Sequence, residues 1–172
     1  MSTITGLSTR GCLIPLSLLI SSCAQGPSSV RTSGAHGGID SLHVFGVPVA
    51  LDLDGRPGPD AFGITVYASA GGAARGVAVT SGRVEVLMYD GILPSGDGST
   101  NAVPTPRRQW SLTLLDLNHS AIKSSLGVGY RLTPSWDDTP PRRSSITVVV
   151  RYLPTRGNPV VSAPVTIAVV EK

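Results

Sequence analysis

Residues 145–153 place Ile146, Val148, Val150 and Tyr152 at every second position, with Thr147, Val149 and Arg151 between them. Side chains of a strand alternate between two faces, so this pattern describes a strand with one dry face and one wetter face. A helix, whose period is 3.6, cannot keep those four residues on one side. The chain must therefore build a sheet with a buried face. The signature recurs. Residues 62–69 carry Ile64, Val66 and Ala68 in one phase, and residues 83–89 carry Val84, Val86 and Met88 in one phase with Arg83 and Glu85 in the other.

Turn chemistry separates these runs, and the 20 glycines and 14 prolines supply most of it. Further strands are read at residues 42–53 (broken by Gly46 and Pro48), at 109–114 with Trp110 and Leu112 on one face, and at 128–136 with Tyr130 and Leu132 in phase. The runs 145–153 and 160–170, joined through Arg156, Gly157 and Asn158, read as a terminal hairpin. One helical segment is expected at 116–125. There Leu117, Ala121 and Ile122 recur at helical spacing, Asp116 stands as N-cap, and Gly127 lies past the end. The expected fold is all-β: a two-sheet antiparallel β-sandwich of about seven strands with one short helix. In it Ile146, Val148, Val150 and Tyr152 face inward, while Thr147 and Arg151 face outward. Val149 faces a side partly covered by a neighbouring loop. On that register Val148→Ala costs about 2 kcal/mol and Thr147→Ala under about 1 kcal/mol.

Phe62, Tyr67, Gly76, Val77, Ser81 to Tyr89 and Asp90 together resemble the opening hairpin of extracytoplasmic immunoglobulin-like, transthyretin-like and macroglobulin-like domains. That resemblance covers about thirty residues, implies architecture, and carries no functional residue across.

Ile20, Ser21, Ser22 and Cys23 close an apolar run and resemble the lipobox of bacterial lipoproteins, in which the cysteine receives the lipid. Arg10 gives the n-region its positive charge, and residues 12–20 have the length of a signal h-region. The run is too short to span a bilayer, which takes roughly 20 apolar residues. The resemblance implies a signal peptide at 1–22, lipidated Cys23 heading a flexible tether at 23–38, and the sandwich at 39–172. Ala24 after the cysteine implies, by the sorting behaviour of Gram-negative lipoproteins, an outer-membrane anchor. Ser22, Cys23 and Ala24 also fit ordinary signal-peptidase cleavage, which leaves a secreted protein as the alternative. The whole chain is similar to small lipoproteins of Gram-negative bacteria, a likeness that implies no activity.

Only 15% of the residues are charged and the formal net charge is +3. The basic residues are scattered, as in Arg107-Arg108 and Arg142-Arg143, so composition argues against a nucleic-acid partner, which needs a clustered basic patch. Cysteine stands only at positions 12 and 23. The sandwich must then hold by burial without disulfides.

Asp52, Asp54 and Asp60 surround Gly55 and Gly58, and closely spaced carboxylates with glycine suit a calcium ion, which takes hard oxygen ligands. Against an EF-hand-type pattern, Ala50 and Ala61 fall on two principal ligand positions and Arg56 adds a positive charge. The competing reading is a turn whose aspartates cap backbone amides. No other cofactor is implied. His36, His43 and His119 lack metal-ligand spacing. Two aromatics qualify as a sugar-stacking platform: Tyr67, in phase with Thr65 and Ser69, and Trp136, at a strand end beside Asp137 and Asp138. Asp137 and Asp138 are also the acids on which a hydrolase of envelope polymers would rely. No nucleophile elbow and no phosphate-cradling loop accompanies them. These readings converge on a non-enzymatic binding or assembly module at the cell envelope. Its partners are the membrane through the lipid and an envelope protein or glycan. A calcium-dependent or carbohydrate-binding module and a hydrolase are the alternatives.

Overall fold

The computed structural model describes residues 38–93, 104–136 and 139–170, which form two antiparallel sheets and one helix. The strands are β1 (Ile39–Gly46), β2 (Ile64–Ala70), β3 (Arg83–Asp90), β4 (Arg108–Leu112), β5 (Ala121–Ser124), β6 (Gly127–Leu132), β7 (Ser145–Leu153), β8 (Val160–Val161) and β9 (Val165–Ala168), with α1 (Leu114–Ser120) between β4 and β5. One sheet has the order β1-β2-β6-β5, the other β4-β3-β7-β8, and β9 also pairs with β7. This is the A-B-E-D order facing C-F-G of immunoglobulin-type sandwiches, with β4 added beside β3. The likeness is one of strand order, and strand order brings no function with it.

The core lies between the sheets. Ile64, Val66, Ala68, Tyr130 and Leu132 from one side meet Val84, Val86, Met88, Val148, Val150 and Ile167 from the other. The described residues contain no cysteine, so this burial holds the sandwich, at about 1.5–3 kcal/mol per large apolar side chain. Registers such as Val86↔Val150, Val66↔Tyr130 and Val44↔Val66 keep the apolar phases together. The inward assignment of Ile146, Val148, Val150 and Tyr152 holds, since all four pack within the core cluster between the sheets.

The terminal hairpin is present, but its second arm is broken. Pro164 has no N–H to donate, and Ser162 stands in at the gap. Its amide donates to the Val150 carbonyl at 2.8 Å, and its Oγ accepts from the Val150 amide at 3.0 Å. Near the start of the domain the chain leaves β1 and crosses to the other sheet. Ala50 donates to Ala168 and Ala168 to Pro48, covering the free edge of β9.

The helix differs from expectation. It begins at Leu114, with Thr113 as N-cap rather than Asp116, and residues 121–124 form β5. Asp116 is the third helical residue and closes a capping box. Its carboxylate accepts from the Thr113 hydroxyl at 2.7 Å and the Thr113 amide at 2.8 Å, which hold its pKa below the ordinary value. Gly127 (φ 98°) serves the β5–β6 turn instead of a helix end. Residues 128–136 are likewise not one strand: β6 ends at Leu132, before Pro134.

Thr147 faces outward as expected but is only 1% exposed. Its hydroxyl donates to the Gly91 carbonyl at 2.7 Å and accepts from the Leu93 amide at 3.2 Å, so the chain beyond β3 covers it. Glu85, expected outward with Arg83, is 3% exposed and accepts from Arg151 Nη2 at 2.6 Å and Arg83 Nε at 3.2 Å.

Candidate binding face on the β1-β2-β6-β5 sheet

The structure distributes the expected site residues over separate places. In the loop between β1 and β2, each aspartate serves a backbone amide. Asp60 accepts from Leu53 at 2.8 Å, Asp52 from Gly55 at 3.2 Å, and Asp54 from Arg56 at 2.9 Å. Arg56 also approaches Asp54 at 3.6 Å. This is the turn chemistry of short acidic side chains. Among the described residues no three His, Cys, Asp or Glu side chains are grouped to hold a metal ion, so Asp52, Asp54 and Asp60 are not brought together as a ligand set.

Trp136 is 1% exposed and offers no platform, contrary to expectation. Its ring stacks on Phe62, which in turn meets Trp110 edge-on, and its indole N–H donates to the Pro59 carbonyl at 3.0 Å. A large ring with one polar atom is well placed there, because burial satisfies its apolar body and the carbonyl its N–H. The three aromatics close one end of the core. Asp137, Asp138 and Cys23 lie outside the described residues.

Tyr67 faces away from the core, as the alternation of β2 requires, but is only 8% exposed. Opposite it in β6 stands Gly129. A Cβ at Gly129 would lie 2.6 Å from the Tyr67 ring, and one at Gly76 would lie 2.9 Å from it. The tyrosine therefore occupies a seat that only glycine neighbours leave open. Its hydroxyl pairs with Ser124 Oγ at 3.2 Å. The loop after β2 is pinned over the same region by Val77 to Ala68 (2.7 Å), Gly76 to Leu126 (2.7 Å) and Val128 to Gly76 (2.9 Å).

The exposed ring on this face is Phe45, 56% exposed and edge-on to Tyr67 with centroids 6.0 Å apart. A hollow of about 240 Å³ lies on one side of it, lined by His43, Phe45, Tyr67, Ser69, Gly76 and Leu126 among others. On its other side a hollow of about 300 Å³ is lined by Phe45, Val47, Leu51, Thr65, Arg131 and Thr133 among others. Phe45 is thus a ridge between two depressions on a hydrogen-bonded sheet. Reading residues 42–53 as one interrupted run hid it. The available signal was phase: His43 and Phe45 alternate with Leu42 and Val44.

The fold and this face define a β-sandwich with an open aromatic groove across one sheet. No protein-family model, curated protein or solved structure matches the chain.

Proposed function

We propose that this chain is a binding or assembly module of the cell envelope, without catalytic activity. It is held to the outer membrane by a lipid on Cys23 and binds through the outer face of the β1-β2-β6-β5 sheet. The observation that carries the binding half is Phe45, a large apolar ring kept exposed between two hollows whose floor is fixed by backbone hydrogen bonds. With exposed Val47 and Leu126 lining the hollows beside it, Phe45 forms an apolar patch rimmed by polar residues, the kind of surface that marks recognition sites. The lipid half is supported by the likeness of residues 20–23 to a lipobox and by the signal-like run before them.

Radiolabelled palmitate tests the anchor. Label should enter the wild-type protein and not Cys23→Ser, and globomycin should accumulate the unprocessed form. A Cys23→Ser chain that stays membrane-bound and is processed as before would overturn the lipidated reading. A photoreactive residue at position 45, compared in living cells with one at Gln109 on the opposite face, tests the binding face. Adducts with an envelope component are expected from position 45 alone.

A further inference from the structure

We propose that the groove across Phe45 takes an acidic oligosaccharide, with one sugar ring against Phe45 and the carboxylate of an acidic sugar at Arg131. This inference rests on the binding-face reading above and names its ligand. A sugar ring asks two things of a protein: a flat apolar surface for its C–H face, and donors and acceptors around its rim. Phe45 supplies the first, its ring steadied edge-on by Tyr67. The rims supply the second: His43 and Ser69 line the first hollow, and Thr65, Arg131 and Thr133 the second. A purely hydrophobic partner would leave these polar groups desolvated and unpaired, at a cost of about 1–3 kcal/mol each. Two hollows on either side of one ring also suit a chain of linked rings better than a single compact ligand.

The charge is chosen by Arg131. It is the one Asp, Glu, Lys or Arg side chain among those lining either hollow, it is exposed, and it makes no ion pair among the described residues. A planar guanidinium with several fixed donors matches a carboxylate in bidentate fashion. Its place is set by register: Arg131 stands opposite Thr65 in β2, and Thr65 stands opposite Phe45 in β1. The cation and the ring are therefore two strands apart on the same face, on the order of 10 Å at about 4.8 Å per strand. That separation is about the length of a disaccharide unit, within reach of a short acidic oligosaccharide lying across the strands.

The full chain, purified in detergent, is applied to an array of uronate- and muramate-containing oligosaccharides, each beside its carboxyl-reduced neutral form. At least one acidic oligosaccharide should bind, with its reduced form at least tenfold weaker. Phe45→Ala should weaken both forms tenfold or more while the thermal melt stays unchanged. Arg131→Gln should bind the acidic and reduced forms equally, at the level the wild type shows for the reduced form. Absence of retention on every glycan overturns the proposal, as does an acid preference that survives Arg131→Gln. If glycans fail while the photoreactive position 45 still gives envelope adducts in cells, the ligand class falls and the binding face stands. If both fail, both fall.

Discussion

On the β4-β3-β7 sheet, Glu85, Leu87 and Thr147 point away from the core and are nonetheless buried, whereas on the β1-β2-β6-β5 sheet His43, Phe45 and Arg131 point away and remain exposed. Both sets occupy the outward phase of alternating strands. What separates them is cover. Glu85 is enclosed by two arginines, and Thr147 lies under the chain at Gly91 and Leu93. On the opposite sheet only Tyr67 and its surroundings are covered, by the loop that Gly76 lets approach. One outer face is closed on itself, and the other keeps a ring and a cation in water. A face that has satisfied its own polar groups has little left to offer a ligand.

The largest expected effect tests that contrast with two arginines. Arg151→Ala leaves the buried Glu85 carboxylate with Arg83 alone and should cost about 2–3 kcal/mol. This is less than a fully buried pair loses with one partner, because both arginines reach solvent. Arg131→Ala, on the open face, should cost under about 0.5 kcal/mol. Urea melts of the two variants measure the difference, and equal costs would break the comparison.

Next in size is a correction to the sequence-based expectation for β7. Val148→Ala should still cost about 2 kcal/mol. Thr147→Ala should now cost about 1–2 kcal/mol rather than under about 1, because it strips a buried carbonyl and a half-buried amide of their hydroxyl partner. The two melts should fall close together. A Thr147→Ala melt indistinguishable from wild type would mean that the cover over this face opens readily.

The register of β7 was legible because Ile146 to Tyr152 alternate without a break, and period two admits one phase. The fate of Thr147 was not, since it depends on Gly91, 56 residues away. Trp136 was misplaced for the same reason: its carbonyl partner, on Pro59, is 77 residues distant. The helix start slipped because Thr113 and Asp116 share a capping box, and spacing alone does not say which is the cap. Phe45 was legible in principle from its phase opposite Leu42 and Val44. That β1 leaves it uncovered depends on where the later loops fold back.

An effect matching that of Thr147→Ala, about 1–2 kcal/mol, is expected from Gly129→Ala, whose new methyl group would sit against the Tyr67 ring and push it from its seat. The displaced ring would lose Ser124 as partner and move toward the hollow beside Phe45. Calorimetric melting gives the cost. Binding at the face should weaken together with stability, which separates this variant from Arg151→Ala, where stability alone falls.

The smallest stability effect, level with that of Arg131→Ala, belongs to Phe45→Ala. An exposed ring contributes little to folding, so the melting midpoint should move by less than the equivalent of about 0.5 kcal/mol. Its edge-on contact with Tyr67 sets the upper bound, since an aromatic pair is worth about 0.5–1.5 kcal/mol when well packed and less when one ring is in water. A surface residue kept for stability and one kept for recognition give opposite signatures here. Recognition predicts an unchanged melt and lost adducts from a photoreactive residue at Val47, the next position lining the groove. A melt lowered by more than 1 kcal/mol with adducts retained would instead make Phe45 a structural cover for Tyr67, and the two outer faces would then differ in degree and not in kind.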